Sequence, residues 1–216
     1  FGWQMSAGVF AIIAIFMFLL TFSWTKERVV PIVEKKNSLK SDIRDLCMNR
    51  PWWILLGASV MVLIFNSIRD GAAIFFFKYN VTGADSFCFT ILGGTFTLIT
   101  VYLVLGQAFN IVGILCVPFL TRRLGKKNTF GGAMACATIL SVVFYFLATD
   151  MIAEILIMQV LISFCAGIVS PLMWSMYADI ADYSEWKTGR RATGLIFSSS
   201  SMSQKLGWTI GGSMTG

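Results

Sequence analysis

The chain has 216 residues, of which 56% are hydrophobic and 13% are charged, and its formal net charge is +6. A soluble domain has about a quarter of its residues charged, so this chain has too few polar groups to cover a surface exposed to water. The composition therefore excludes an ordinary soluble enzyme, a disordered segment and a nucleic-acid-binding module. It predicts an integral membrane protein with several spans.

Uncharged stretches long enough to cross a bilayer, about 20 residues each, recur along the chain. They predict six transmembrane helices, at about 1–24, 52–77, 98–120, 129–148, 151–178 and 193–216. Ser86–Thr121 is long for one span and short for two. We predict one span there because the basic loops then share one membrane side, and we expect a bent or surface-lying segment around Gly93–Gly94 before it.

Basic residues are concentrated between the spans. Fourteen of the seventeen Lys and Arg residues lie in Lys26–Arg50, Arg122–Lys127 and Asp179–Arg191. The positive-inside rule predicts that these three loops are cytoplasmic. In the first loop, Ser38–Asn49 has the apolar spacing of an amphipathic helix, and the Trp52–Trp53 pair after Pro51 is predicted to anchor the next span at the interface.

The composition also restricts the chemistry. The chain has no histidine, which excludes imidazole ligands and relays, and its five cysteines are too scattered for a metal or disulfide framework. We therefore expect no metal site and no cofactor. A membrane-embedded enzyme is disfavoured as well, because no span contains a nucleophile paired with a base.

Lys205 is the most informative single residue. It lies 12 positions after Thr193, about 18 Å along a helix and so near the bilayer midplane. A lysine at that depth costs about 2.5–3.5 kcal/mol on insertion scales, so we predict that it lines a watery cavity and pairs with a carboxylate or a substrate oxygen. The alternative is a side chain that snorkels to an interface. Glycines on the same helix, Gly207 and Gly211 as well as Gly212 and Gly216, are predicted to pack closely against neighbouring helices.

Two more groups of charged residues are candidates. Asp179, Asp182 and Glu185 lie near one helical face at the end of the fifth span and oppose the helix dipole. They form either a solvated helix end or an ion-pair network with Arg122 and Arg123. Arg69 and Asp70, near the outer end of the second span, are either neutralised at the outer rim or line an outer cavity.

Uncharged groups at membrane depth are either interhelical contacts or ligand contacts: Asn66, Gln107, Asn110, Gln159, Trp174 and Tyr177.

The segment Pro171–Arg191 (PLMWSMYADIADYSEWKTGRR), followed by Lys205, resembles the glycoside–pentoside–hexuronide:cation symporter family of the major facilitator superfamily, which includes the melibiose permease. Asn49–Trp52 and the Arg122–Lys127 loop are similar to the corresponding loops of that family. The resemblance implies an all-α membrane protein, a major facilitator-type helical bundle, in which these helices are numbers 6 to 11 of twelve.

The resemblance also implies a domain organisation and a function. Residues 1–25 are the last helix of an N-terminal half, 26–51 a cytoplasmic central loop, and 52–216 a C-terminal bundle that lacks its last helix. The implied activity is symport of a sugar or glycoside with Na⁺ or H⁺, in the bacterial inner membrane, with the coupling ion bound mainly by the N-terminal bundle. The alternative is a major facilitator carrier of drugs, peptides or organic anions.

The same resemblance assigns residues. Lys205 is expected near the substrate and cation site, and Trp174 and Tyr177, two of the groups at membrane depth named above, are further candidates for that site. A cytoplasmic gate is expected from six residues: Asp179, Asp182, Glu185, Arg191, Arg122 and Arg123. The expected partners are a small sugar, the lipid bilayer and the N-terminal bundle, and no nucleic acid.

Overall fold

The computed structural model describes residues 2–26, 39–81, 88–91, 94–147, 151–189 and 193–216. It divides into two compact units, Phe1–Asn37 and Ser38–Gly216. The first unit contains α1 (Gly2–Trp24), which is apolar along its whole length and has no buried residue. A helix that is apolar all round is typical of a membrane span.

The second unit contains six helices and one short hairpin among its described residues. The elements are α2 (Leu39–Cys47), α3 (Arg50–Asn80), β1 (Cys88–Ile91), β2 (Gly94–Thr97), α4 (Leu98–Leu124), α5 (Lys126–Tyr145), α6 (Ile152–Thr188) and α7 (Thr193–Thr215). The all-helical membrane architecture predicted from the sequence is confirmed, and the hairpin is an addition to it.

By length and composition, α1, α3, α4, α5 and α6 are able to cross a bilayer. The sixth predicted span, α7, has 23 residues and is therefore long enough. Its four consecutive serines, Ser198–Ser201, together with Gln204 and Lys205 make it more polar than the other five. A helix of this kind needs a polar environment along one face.

The region before α4 shows why span counting alone was incomplete there. Leu98–Leu124 is one continuous helix, so the prediction of a single span is confirmed. The residues before it pair as an antiparallel hairpin in which Ile91 is opposite Gly94. Threonine, phenylalanine and isoleucine around Gly93–Gly94 are a strand and hairpin signal that a search for apolar spans does not detect.

Close helix contacts depend on glycines. Helix α4 packs along α6, where a Cβ atom on Gly113 would overlap the carbonyl oxygen of Phe164 and one on Gly167 would overlap the carbonyl oxygen of Asn110. Because only glycine permits this approach, the two helices form a rigid wall.

Helix α7 packs along α3 in the same manner. A Cβ atom on Gly207 would lie 2.5 Å from Cβ of Leu63, and one on Gly211 would lie 2.5 Å from Cβ of Ser67. The predicted packing role of these two glycines is confirmed. The other predicted pair, Gly212 and Gly216, is exposed.

At the end predicted to be cytoplasmic, the amphipathic helix α2 is present as expected and buries Leu46 against α3, α6 and α7. Trp52 belongs to the same core and donates its Nε1–H to Ser199 Oγ at 2.8 Å. Its prediction as an interface anchor was therefore wrong, because the α3 face that carries it turns inward. Trp53 is exposed and donates to the Cys47 carbonyl oxygen, and an interfacial role fits it.

Candidate functional site

A cavity of about 490 Å³ lies between α3, α4, α6 and α7. Its walls carry five side-chain amides, those of Asn66, Gln107, Asn110, Gln159 and Gln204. Amides both donate and accept hydrogen bonds. A cavity of this size, with polar groups converging on it at membrane depth, is the expected form of a small-molecule site.

Arg69 on α3 is the central charged group of the cavity. Its Nη1 donates to Gln159 Oε1 at 3.2 Å and its Nη2 to Ser163 Oγ at 3.1 Å, both on α6. Its Nε is buried and has no hydrogen-bond partner among the residues that the structure describes. The carboxylate of Asp70 lies 3.8 Å from Nη2, which is a loose ion pair. Two neutral groups therefore hold the guanidinium, while the carboxylate of Asp70 lies beyond hydrogen-bond distance from it.

Arg69 lies well inside α3, which bears on whether it belongs to the outer rim or lines a cavity. It lies 11 residues before the end of α3 at Asn80, about 16 Å along the helix. Lys78 and Tyr79, the polar residues near that end, stand more than two turns away. Both Arg69 and Asp70 line the cavity, which agrees with the alternative of an outer cavity.

Two tryptophans form the apolar part of the wall. Trp174 on α6 is 40% exposed and stacks on Phe197, with ring centroids 6.2 Å apart. Trp208 on α7 is also exposed. Flat indole faces of this kind can cover the apolar face of a ligand while the amides bind its polar groups.

Tyr177 does not join Trp174 in the cavity. It is completely buried, and its hydroxyl group lies 3.0 Å from Ser59 Oγ on α3. Since Tyr177 is three residues after Trp174 but belongs to the core at the α2 end, the structure separates the two predicted site residues. The hydroxyl of Tyr177 links α6 to α3 and is not presented to a ligand.

Lys205 lies next to the cavity rather than in it. It follows Gln204 directly, so its side chain is turned about 100° around α7 from that amide. It is exposed in a shallow groove with Ser198, Ser201 and Thr209. Among the residues described here, the groove offers no carboxylate, so the predicted partner of Lys205 is not part of this half of the site.

The charged cluster at the other end of α6 is arranged differently from its prediction. Asp179 pairs with Lys126, at the start of α5, and both carboxylate oxygens lie 2.7 Å from Nζ. Arg122 and Arg123 were the predicted partners; both are exposed, and Arg123 lies over the ring of Phe119 at 4.7 Å. Lys126 is one turn further along the chain and at the start of a new helix, which brings its amine back to α6.

The dipole of α6 acts on fewer of its acidic residues than the sequence predicted. Helix α6 continues to Thr188, so Asp179 lies more than two turns before its end, Asp182 lies more than one turn before it, and only Glu185 is in the last turn. The dipole acts mainly within the last turn, and it therefore disfavours Glu185 alone. Asp182 and Glu185 are exposed, and Arg191 lies outside the described residues.

Sequence reasoning missed Ser163, Gln204 and Trp208 in the cavity and Lys126 in the ion pair. Gln204 and Trp208 are four residues apart and so share a face of α7, a spacing that was available as a signal. Nothing in the sequence marks Ser163 over the other serines, because its role depends on the position of Arg69.

The open side of the cavity exposes polar groups at membrane depth. Asp70, Gln107 and Ser170 are exposed there, together with the two tryptophans. Lipid hydrocarbon cannot satisfy such groups. This face must therefore contact water or another part of a larger protein.

Comparisons with known proteins agree with this arrangement. A family model described as MFS/sugar transport protein matches residues 1–216. The chain is 32% identical over 217 residues to an isoprimeverose transporter of Lactiplantibacillus pentosus, a match that covers all of this chain and 43% of that protein. It is 31% identical over 210 residues to a glucuronide carrier protein homolog of Escherichia coli strain K12, covering 95% of this chain and 42% of that protein.

A third relative, the inner membrane symporter YicJ of the same E. coli strain, is 26% identical over 215 residues, covering all of this chain and 44% of that protein. The chain thus spans less than half the length of these relatives. No solved structure matches it.

Proposed function

The chain belongs to the MFS/sugar transport protein family, which confirms the resemblance seen in its sequence, and we propose that it forms part of a symporter that carries a sugar or glycoside together with a cation. The observation that carries the proposal is the polar cavity around Arg69, open on a face that lipid cannot solvate. The relatives are named as transporters or carriers of isoprimeverose and of a glucuronide, and as a symporter.

The proposed mechanism is alternating access. An N-terminal bundle of the same full-length protein would close the open side of the cavity, and the two bundles would rock about a site near the midplane. The wall formed by α4 and α6 suits such a rigid-body movement, because two helices that pack this closely at their glycines are expected to move together. The three basic loops would then face the cytoplasm of a bacterial cell.

Lys205 would contribute to the coupling-ion site. Its amine is exposed beside the cavity at a depth where a lysine facing lipid is costly. A carboxylate of the N-terminal bundle would therefore be its partner, and a cation that competes with the amine for this carboxylate would be coupled to the sugar. No cofactor takes part, and the reaction is transport rather than catalysis.

The acidic end of α6 would act as a cytoplasmic gate. Asp179, Asp182 and Glu185, together with Arg191, Arg122 and Arg123, would pair with charged groups of the other bundle when the inner side is closed. A gate shifts the equilibrium only by contacts that differ between the two states. The exposed positions of Asp182 and Glu185 support such contacts.

Uptake by the full-length protein tests the function. Glycosides, pentosides and hexuronides are each offered with Na⁺ present or replaced, at several pH values. Accumulation of at least one sugar that depends on the Na⁺ or H⁺ gradient is expected. If no sugar is accumulated under any gradient while the protein is present in the membrane, the symporter proposal is wrong.

A pair of variants tests Lys205 separately. Lys205→Val is expected to lower accumulation about tenfold or more, because a buried carboxylate loses its charged partner. Thr209→Val, one turn along the same groove, removes a neutral hydroxyl group but no charge and is expected to have a much smaller effect. Normal accumulation by Lys205→Val would remove this lysine from the mechanism.

A further inference from the structure

We propose that the polar cavity binds a neutral sugar, with Arg69 donating to and Asp70 accepting from neighbouring hydroxyl groups, and that it selects against acidic sugars. This inference rests on the proposed function and specifies its substrate class. The names of the relatives do not decide the point, because one is named after isoprimeverose and another after a glucuronide. The charges of the groups that line the cavity do bear on it.

The charge of the cavity favours a neutral ligand. Among its described lining residues, Arg69 and Asp70 carry the only charges, and these are opposite. A sugar carboxylate that approached Arg69 would also approach the carboxylate of Asp70, since the two residues lie 3.8 Å apart. Like charges brought together in a poorly solvated site repel strongly, so Asp70 removes the advantage that Arg69 alone would give to an acid.

The hydrogen-bonding capacity of the cavity matches hydroxyl groups. A guanidinium has five N–H donors. Among the described residues, Nη1 and Nη2 donate once each, to Gln159 and Ser163, and the N–H of Nε is buried, so one N–H on each Nη remains for a ligand. Asp70 is 48% exposed and supplies acceptor oxygens. A sugar hydroxyl both donates and accepts, so neighbouring hydroxyls of one sugar can satisfy both residues together.

The groups on the other side of Arg69 are mostly apolar. On its other side is a second cavity of about 320 Å³, lined mainly by apolar side chains such as Phe65, Phe76 and Phe144. Its polar side chains besides Arg69, among the described lining residues, are those of Tyr102 and Ser141, so this side offers hydroxyl groups but no amide and no carboxylate. The amides and the carboxylate on the polar side are therefore the groups among which a ligand of Arg69 has to bind.

The test compares matched probes on the full-length protein: 4-nitrophenyl β-D-glucoside and β-D-xyloside against 4-nitrophenyl β-D-glucuronide, measured as competition for uptake and as direct transport. The neutral probes are expected to be preferred about tenfold or more. If the wild-type protein takes up or binds the glucuronide to the same extent as the neutral probes, this inference is wrong and the symporter proposal still stands. Failure to transport any sugar under any cation gradient overturns both.

Asp70→Asn makes the selectivity test specific to this site. The cavity then has one net positive charge, so the ratio of glucuronide to glucoside uptake is expected to rise about tenfold while glucoside uptake falls. Glu154→Gln is the matched control, since Glu154 is an exposed carboxylate on the first turn of α6 and does not line the cavity. An unchanged ratio in Asp70→Asn overturns the proposal, and if this variant does not reach the membrane, the wild-type comparison decides alone.

Discussion

Two acid–base pairs among the described residues of the second unit are held in opposite ways. Lys126 and Asp179, near the predicted cytoplasmic side, are 2.7 Å apart with 40% and 53% of their side chains exposed. Arg69 and Asp70 are adjacent in sequence and lie at membrane depth, yet their closest atoms are 3.8 Å apart. The two carboxylates are about equally exposed, at 48% and 53%, but the cation of the loose pair is only 19% exposed and that of the tight pair 40%.

The difference follows from what else each cation binds. Arg69 is held by Gln159 and Ser163, so its position does not depend on Asp70. Lys126, in contrast, donates to Asp179 and to no neutral group among the described residues. A cation fixed by neutral groups leaves a nearby carboxylate available to a ligand, whereas a flexible surface amine exchanges partners at little cost.

The largest expected effect comes from removing the support of Arg69. Gln159→Leu keeps the size of the side chain and deletes the acceptor of Nη1. A charged donor left without its partner costs about 1.5–3 kcal/mol, so we expect uptake of the preferred sugar to fall about tenfold or more, mainly through a higher KM. Initial rates of uptake, normalised to protein in the membrane, measure this.

Gln107→Leu is the control for that change. Gln107 lines the same cavity but is exposed, whereas Gln159 is 3% exposed and contacts Arg69. A clearly smaller loss is expected. Equal losses in the two variants would mean that the cavity needs amides in general, and the contrast between a supported and an unsupported cation would no longer explain the site.

Much of the fold could be predicted from where charges interrupt the apolar sequence. The length of the uncharged stretches identified the long helices. The basic loops indicated a single span, α4, within Ser86–Thr121. The hairpin before α4 was missed because strand signals are short and local, and a window as long as a membrane span averages them out. The inward turn of Trp52 depends on how α3, α6 and α7 meet, which no local pattern contains.

The site was predicted less completely than the fold. Arg69, Asp70 and Lys205 stood out because charged groups at membrane depth are rare. Whether each lines the cavity depends on the rotation of its helix, and this excluded Tyr177, which packs on Ser59. The choice of Lys126 over Arg122 and Arg123 depends on a turn at Gly125, a glycine with a positive φ of 76° that ends α4 and starts α5.

The cytoplasmic pair should give intermediate effects in opposite directions. Asp179→Asn with Asp182→Asn removes the acids of the gate and is expected to weaken the inward-closed state. Lys126→Gln frees Asp179 from its partner in the same bundle and is expected to strengthen that state. Each shift should be about two- to fivefold, the range for an exposed ion pair.

Labelling of a Ser170→Cys reporter with a membrane-impermeant thiol reagent from the cytoplasmic side measures both shifts, because Ser170 is exposed on the cavity wall. Faster labelling is expected in the acid double variant and slower labelling in Lys126→Gln. Shifts in the same direction would show that Lys126 and Asp179 act as one unit within the bundle. Unchanged labelling in both would remove the pair from gating.

The smallest effect concerns stability. Because Lys126 and Asp179 are exposed, breaking their pair should change the free energy of unfolding by only about 0.2–1 kcal/mol, in contrast to Gln159→Leu, which removes one of the two hydrogen bonds that hold the mostly buried guanidinium of Arg69. The effect of Lys126→Gln should also disappear at about 1 M salt, where screening acts over about 3 Å. Unfolding of the purified protein in detergent at low and high salt measures both values. A loss above about 2 kcal/mol that salt does not reduce would show that this pair holds α5 against α6 structurally, and the two acid–base pairs would then no longer differ in kind.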